Sequence, residues 1–129
     1  MSRKSSRDIA LKLVYQYLFS KDIDFYQAVD SFEVDRESED FKFIDSLYNG
    51  VVTNYDDLVK IITDNLVDYK LDRVYKLDLA ILLIATYETK FLNESEGIVI
   101  NEAVEFAKKY STDKSPSFIN GVLAKIVKK

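Results

Sequence analysis

The 129-residue sequence has no cysteine, no histidine, a single proline (Pro116) and only three glycines: Gly50, Gly97 and Gly121. Without cysteine there is no disulfide and no thiolate metal site, which fits a reducing compartment. Without histidine the usual neutral-pH base is missing, and zinc would have to be held by four oxygen ligands. Three scattered glycines leave no place for a GxGxxG turn or a P-loop. The carboxylate pairs Glu39-Asp40 and Asp56-Asp57 remain as acid–base candidates, but both stand at helix starts, where negative charge favours the macrodipole. No catalytic residue, metal or cofactor is therefore assigned, and an enzyme is not expected. A long apolar run is also lacking. Leu77 to Tyr87 is the most apolar stretch and falls well short of the roughly 20 residues a bilayer requires. The basic N-terminus leads into an amphipathic segment, not a secretory h-region. The expected setting is cytoplasmic, with no membrane partner.

What is present is helical periodicity. Apolar residues make up 47% of the chain, helix breakers are few, and the length suits a single domain over residues 1–129. The pattern predicts an all-α fold of about seven helices. The first runs from about Ser5 to Phe19, with Ser5 and Asp8 spaced as a capping box. A short second helix follows Asp24. The third uses Phe41, Ile44, Leu47, Tyr48, Val51 and Val52; Asn54 to Asp57 breaks the pattern, and Leu58 to Leu66 resumes it. The fifth, about Tyr75 to Phe91, is apolar nearly all round and belongs in the middle of a bundle or against a partner.

The last two helices are the most distinctive. Ile100, Ala103, Val104, Ala107 and Tyr110 form one stripe; Phe118, Ile119, Val122, Leu123, Ile126 and Val127 form the other. Ser115 reads as an N-cap with Pro116 at the first helical position. Gly121 lies within the last helix, where glycine costs about 1 kcal/mol relative to alanine, so a neighbouring helix is expected to approach it closely.

Charge is unevenly spread. Residues 1–12 carry Arg3, Lys4, Arg7 and Lys12 against Asp8, and residues 108–129 carry six lysines against Asp113. The rest is strongly acidic, so a basic pole forms on an acidic body if the two ends meet; otherwise the terminal lysines merely solubilise the ends. Ser2-Arg3-Lys4-Ser5-Ser6-Arg7 brings cations and hydroxyls to a helix entrance, a combination suited to phosphate oxygens. Phe118 follows another helix start, where a ring can stack on an unpaired base, although its spacing from Val122 equally suits a core position.

Five segments in order resemble the NusB family of bacterial transcription antitermination factors. They are Arg3 to Gln16; Phe43 to Val52 with Leu47-Tyr48-Asn49-Gly50-Val51; Leu71 to Glu88; Ile100 to Lys108; and Phe118 to Leu123. The resemblance implies two small helical subdomains forming one NusB-like domain. It also implies a non-enzymatic RNA-binding role in transcription regulation: recognition of boxA-type single-stranded RNA in nascent rRNA transcripts, together with NusE, a small-subunit ribosomal protein. RNA polymerase is engaged indirectly, through the complex. Carried over by position, RNA contact falls on Arg3, Lys4, Arg7, Tyr15 and Phe118, with Lys114 beside them, and contact with the protein partner falls on Asp78. Asn101 and Asn120 read as hydrogen-bonding residues between packed helices.

The chain departs from the family pattern at Leu79 and Leu83, where relatives carry arginines, and at Ser117, where a lysine is frequent. Ser5 and Ser6 also interrupt the basic start. The implied RNA surface is thin in charge. Three phosphate contacts would give a salt slope of about −2, a twentyfold loss of affinity between ~50 and ~200 mM salt. The expectation is weak binding alone and dependence on NusE. The alternative is a helical protein-interaction or self-associating module, such as a homodimer, in which Leu79 and Leu83 extend an apolar contact face. A NusB-like domain also opens some rRNA methyltransferases, but this length has no room for a cofactor-binding sheet.

Overall fold

The structure is a computed structural model that describes residues 1–68 and 70–128. Tyr69 and Lys129, the latter one of the C-terminal lysines counted above, lie outside the described residues. Among the described residues there are seven α-helices and no strand: α1 (Arg3–Phe19), α2 (Phe25–Asp30), α3 (Glu39–Thr53), α4 (Tyr55–Asp64), α5 (Lys76–Lys90), α6 (Glu96–Tyr110) and α7 (Ser115–Val127). A 3-10 turn, Leu71–Arg73, leads into α5. Among the described residues no helix is long and apolar enough to cross a membrane.

Local chemistry explains most boundaries. Asp24 and Ser38 cap α2 and α3, accepting the backbone N–H of Gln27 and Phe41, each at 3.1 Å. The break expected over Asn54 to Asp57 shrinks to Asn54 alone, whose side-chain amide donates to the Gly50 carbonyl at 2.8 Å and satisfies the end of α3. The start of α1 also differs from expectation. Ser2, not Ser5, is the cap, its Oγ accepting from the Ser5 N–H at 3.1 Å. Arg3 and Lys4 therefore sit inside the first helical turn, with no acidic residue beside them.

The all-round apolar character of α5 is explained by its position. It packs against α1, α3, α4, α6 and α7, and every residue from Asp78 to Thr86 is buried. The most extensive pairings elsewhere are α1 with α3 and α6 with α7. One subdomain (α1–α3) thus joins another (α4–α7) across a shared central helix. Leu79 and Leu83, a contact face in the alternative reading, are 4% and 0% exposed and belong to the core. Each such side chain contributes about 1.5–3 kcal/mol by leaving water, so these two leucines do not supply the contact face that the self-associating alternative assigned to them.

The close-approach glycine is Gly50, not Gly121. A methyl group at position 50 would overlap the Tyr87 ring, where α3 crosses α5, whereas at position 121 it would meet no atom within 4 Å.

Candidate nucleic-acid interface

The site begins at the head of α1. The helix macrodipole already places partial positive charge there, so Arg3 and Lys4 in the first turn are unfavourable by a few tenths to about 1 kcal/mol each until an anion arrives. The Arg3 guanidinium lies 3.8 Å from the centroid of the Phe43 ring on α3, and this stacking holds it in place. Lys4 is exposed on the same turn.

Arg7, expected beside them as an RNA contact, is buried instead, at 6% exposure. Its Nε lies 2.9 and 3.1 Å from the two Glu88 carboxylate oxygens, and its Nη2 lies 2.8 Å from Oε1. Burial raises the Glu88 carboxyl above the usual range against the pull of Arg7. With Nε and Nη2 committed to a core carboxylate, Arg7 ties α1 to α5. The alternation of cations along the N-terminus gives no sign of this, because the partner is 81 positions away.

The two basic ends do meet. The Tyr110 hydroxyl, at the end of α6, donates to Asp8 on α1, and Lys12 lies 2.9 Å from the other Asp8 oxygen. Lys109 sits 5.0 Å from the Tyr110 ring centroid. Burial works to raise the Asp8 pKa, but the bonds from Tyr110 and Lys12 outweigh it and leave the carboxyl below its ordinary value. Lys4, Asp8 and Lys12 lie on one helical line of α1, and this line leads to the α6–α7 loop.

That loop is pinned by Asp78, in the first turn of α5. Ser111 Oγ donates to Oδ1 at 2.6 Å and Ser115 Oγ donates to Oδ2 at 2.9 Å. Ser115 Oγ also accepts the Thr112 backbone N–H at 3.2 Å, so this serine ties the loop to α5 and does not cap α7 as expected. Asp78, expected at the protein partner, is only 2% exposed with both oxygens occupied. Its place is beneath the interface.

Above Asp78 opens a groove of about 420 Å³, walled by Arg73 and Tyr75 on one side and by Lys114 and Phe118 on the other. Tyr75 is 62% exposed and Phe118 half-buried against the core. Two cations and two rings line this opening, with the exposed Asp113 as its one uncommitted anion; the cations can hold phosphate oxygens and the rings can stack unpaired bases. The groove thus joins the predicted Lys114 and Phe118 and adds Arg73 and Tyr75, which sequence reasoning missed. A cation and an aromatic at the entrance to α5 were the available signal, the same pairing that drew attention to Lys114 and Phe118. Tyr15 is exposed on α1 but lines a different hollow, edge-on to Phe19 at 5.0 Å. Asn101 and Asn120 are exposed and do not act as buried helix-packing amides.

The profile of the NusB family matches residues 4–128. A relative from Clostridium novyi, the transcription antitermination protein NusB, is 40% identical over 99% of each chain. A solved structure of T. maritima NusB superposes with a TM-score of 0.89 at 28% identity, covering 100% of this chain and 92% of that one. A crystal structure of the antitermination factors NusB and NusE in complex with double-stranded RNA gives 0.87 at 26% identity, over 98% and 96%.

Proposed function

The chain belongs to the NusB family, and from this we infer that it is a transcription antitermination factor that binds RNA together with NusE. The observation that carries this reading in the chain itself is the groove over Asp78, where Arg73, Tyr75, Lys114 and Phe118 converge; the cationic head of α1 lies farther along α5, toward Glu88. Membership of the family implies RNA of boxA type, and the rings of Tyr75 and Phe118 at the groove suit unstacked, single-stranded bases. Arg3 and Lys4 take phosphates at the α1 N-terminus, Tyr75 and Phe118 take base faces, and Arg73 and Lys114 flank them. Tyr15 extends the contact along α1. Arg7 and Asp78 position this surface from below, and Asp78 reaches NusE only through the loop it holds. The protein acts as one domain, in the cytoplasm, through binding and without catalysis or a cofactor, and meets RNA polymerase through the assembled complex.

Four exposed cations (Arg3, Lys4, Arg73 and Lys114) set the strength of the electrostatic contact. At about 0.7 per phosphate, the salt slope is about −3, and raising salt from ~50 to ~200 mM weakens binding about fiftyfold. The test is fluorescence anisotropy with boxA and scrambled RNA, with and without NusE, at those two salt concentrations. A preference for boxA that strengthens with NusE, and falls in R73A/K114A, supports the reading. Equal affinity for both RNAs with NusE present overturns it.

A further inference from the structure

The cationic face of α7 does not stop at Phe118. Positions 114, 118, 121, 125 and 128 follow one another in steps of four, three, four and three, so they lie along one side of the helix. Lys114, Gly121, Lys125 and Lys128 are all exposed. Lys125 and Lys128 line a second open groove, of about 320 Å³, against the end of α4. Asp64, in the same groove, is already paired with Lys60 at 3.1 Å. Neither Lys125 nor Lys128 has an ion-pair partner among the described residues.

Gly121 sits between the two ends of this ridge. Its cost to the helix is about 1 kcal/mol, and nothing within 4 Å in the chain explains it. What the missing side chain does leave is a flat place between the ring of Phe118 and the ammonium groups of Lys125 and Lys128. A longer side chain there would stand across any strand running from one to the other.

We propose that single-stranded RNA leaving the Phe118 groove continues along α7 over Gly121, with its phosphates reaching Lys125 and Lys128. The occupant follows from the sign of the unpaired charge and from continuity with the groove, so the proposal rests on the reading given above. Phe118 to Lys128 spans about 15 Å at 1.5 Å per residue, room for a few nucleotides beyond the core site.

The experiment uses the full chain with NusE and three RNAs: the core boxA sequence, and the same sequence lengthened by about six uridines at one end or the other, within the usual range of single-strand site sizes. One extension, and not the other, binds more tightly than the core. Two added phosphate contacts steepen its salt slope by about 1.4, so its advantage shrinks about sevenfold between ~50 and ~200 mM salt. K125Q/K128Q abolishes the advantage and leaves core affinity unchanged. Gly121→Gln also abolishes it; because this substitution favours the helix, its effect cannot come from unfolding. No gain from either extension, or a gain that survives both variants, overturns the ridge and leaves the groove reading intact. Failure of even the core RNA to bind with NusE overturns both.

Discussion

Arg7 and Glu88 form a buried ion pair that joins the first helix to the central one. Such a pair need not be more stable than an apolar replacement, but breaking it strands a charge in the core, at a cost of about 3–5 kcal/mol. Arg7→Ala is therefore expected to lower the melting temperature by roughly 10–20 °C, given a few degrees per kcal/mol at this chain length. Arg7→Met with Glu88→Leu should recover most of the loss. Arg3→Ala, at an exposed position, should weaken RNA binding while leaving the melting temperature within a degree or two. Thermal unfolding and RNA titration on the four proteins separate the two roles; comparable losses of stability from R3A and R7A would contradict the assignment.

The second prediction concerns Asp8, whose folded pKa lies below its ordinary value of 3.8. A carboxyl depressed by folding binds fewer protons in the native state, so it adds stability at higher pH that is lost as pH falls through 3.8 and below. The α1–α6 tether should thus weaken in acid. Tyr110→Phe removes one of the bonds that lowers the pKa, and should cost about 1–2 kcal/mol at pH 7 and less near pH 2. Urea midpoints for the two proteins across that range measure the difference. A cost that does not change with pH would mean that Tyr110 works by packing alone.

The helices were largely legible in the sequence, because a 3.6-residue apolar period survives wherever one face is buried. The nearly all-apolar Leu77 to Ala85 segment, broken only by Asp78, announced a central helix, and α5 is one. What the pattern could not reveal was depth beneath the surface. Arg7 and Asp78 are charged residues in amphipathic contexts, and whether either faces water depends on groups contributed by distant helices. The groove suffered from the same limitation: Arg73 and Tyr75 lie about 40 residues from Lys114 and Phe118, and only the fold sets them face to face.

Asp78 offers a third test, of positioning at a distance. Asp78→Ala removes the acceptor for both Ser111 and Ser115, and is expected to cost about 2–4 kcal/mol. Asp78→Asn keeps the shape but weakens both bonds, so its effect should be intermediate. RNA affinity should fall in the same order, although the carboxylate is buried and touches no RNA. Amide hydrogen exchange supplies the readout a direct contact would not move: residues 111–115 should exchange faster in both variants without RNA present. Reduced affinity with unchanged exchange would make Asp78 a contact residue after all.

The two glycines, finally, should respond to alanine with opposite signs. At Gly121 a methyl group meets nothing, and the helix gains up to about 1 kcal/mol. At Gly50 it overlaps the Tyr87 ring, which is stacked on Phe91 with centroids 5.4 Å apart and must leave that stack to make room. The expected cost is about 1–3 kcal/mol, typical of overpacking. In a Tyr87→Ala background the obstruction is gone, so Gly50→Ala should there become neutral or stabilising. The four-protein cycle measured by urea unfolding isolates this coupling. A Gly50→Ala cost that stays the same without the Tyr87 ring would place the strain in the α3 backbone and not at the crossing of α3 and α5.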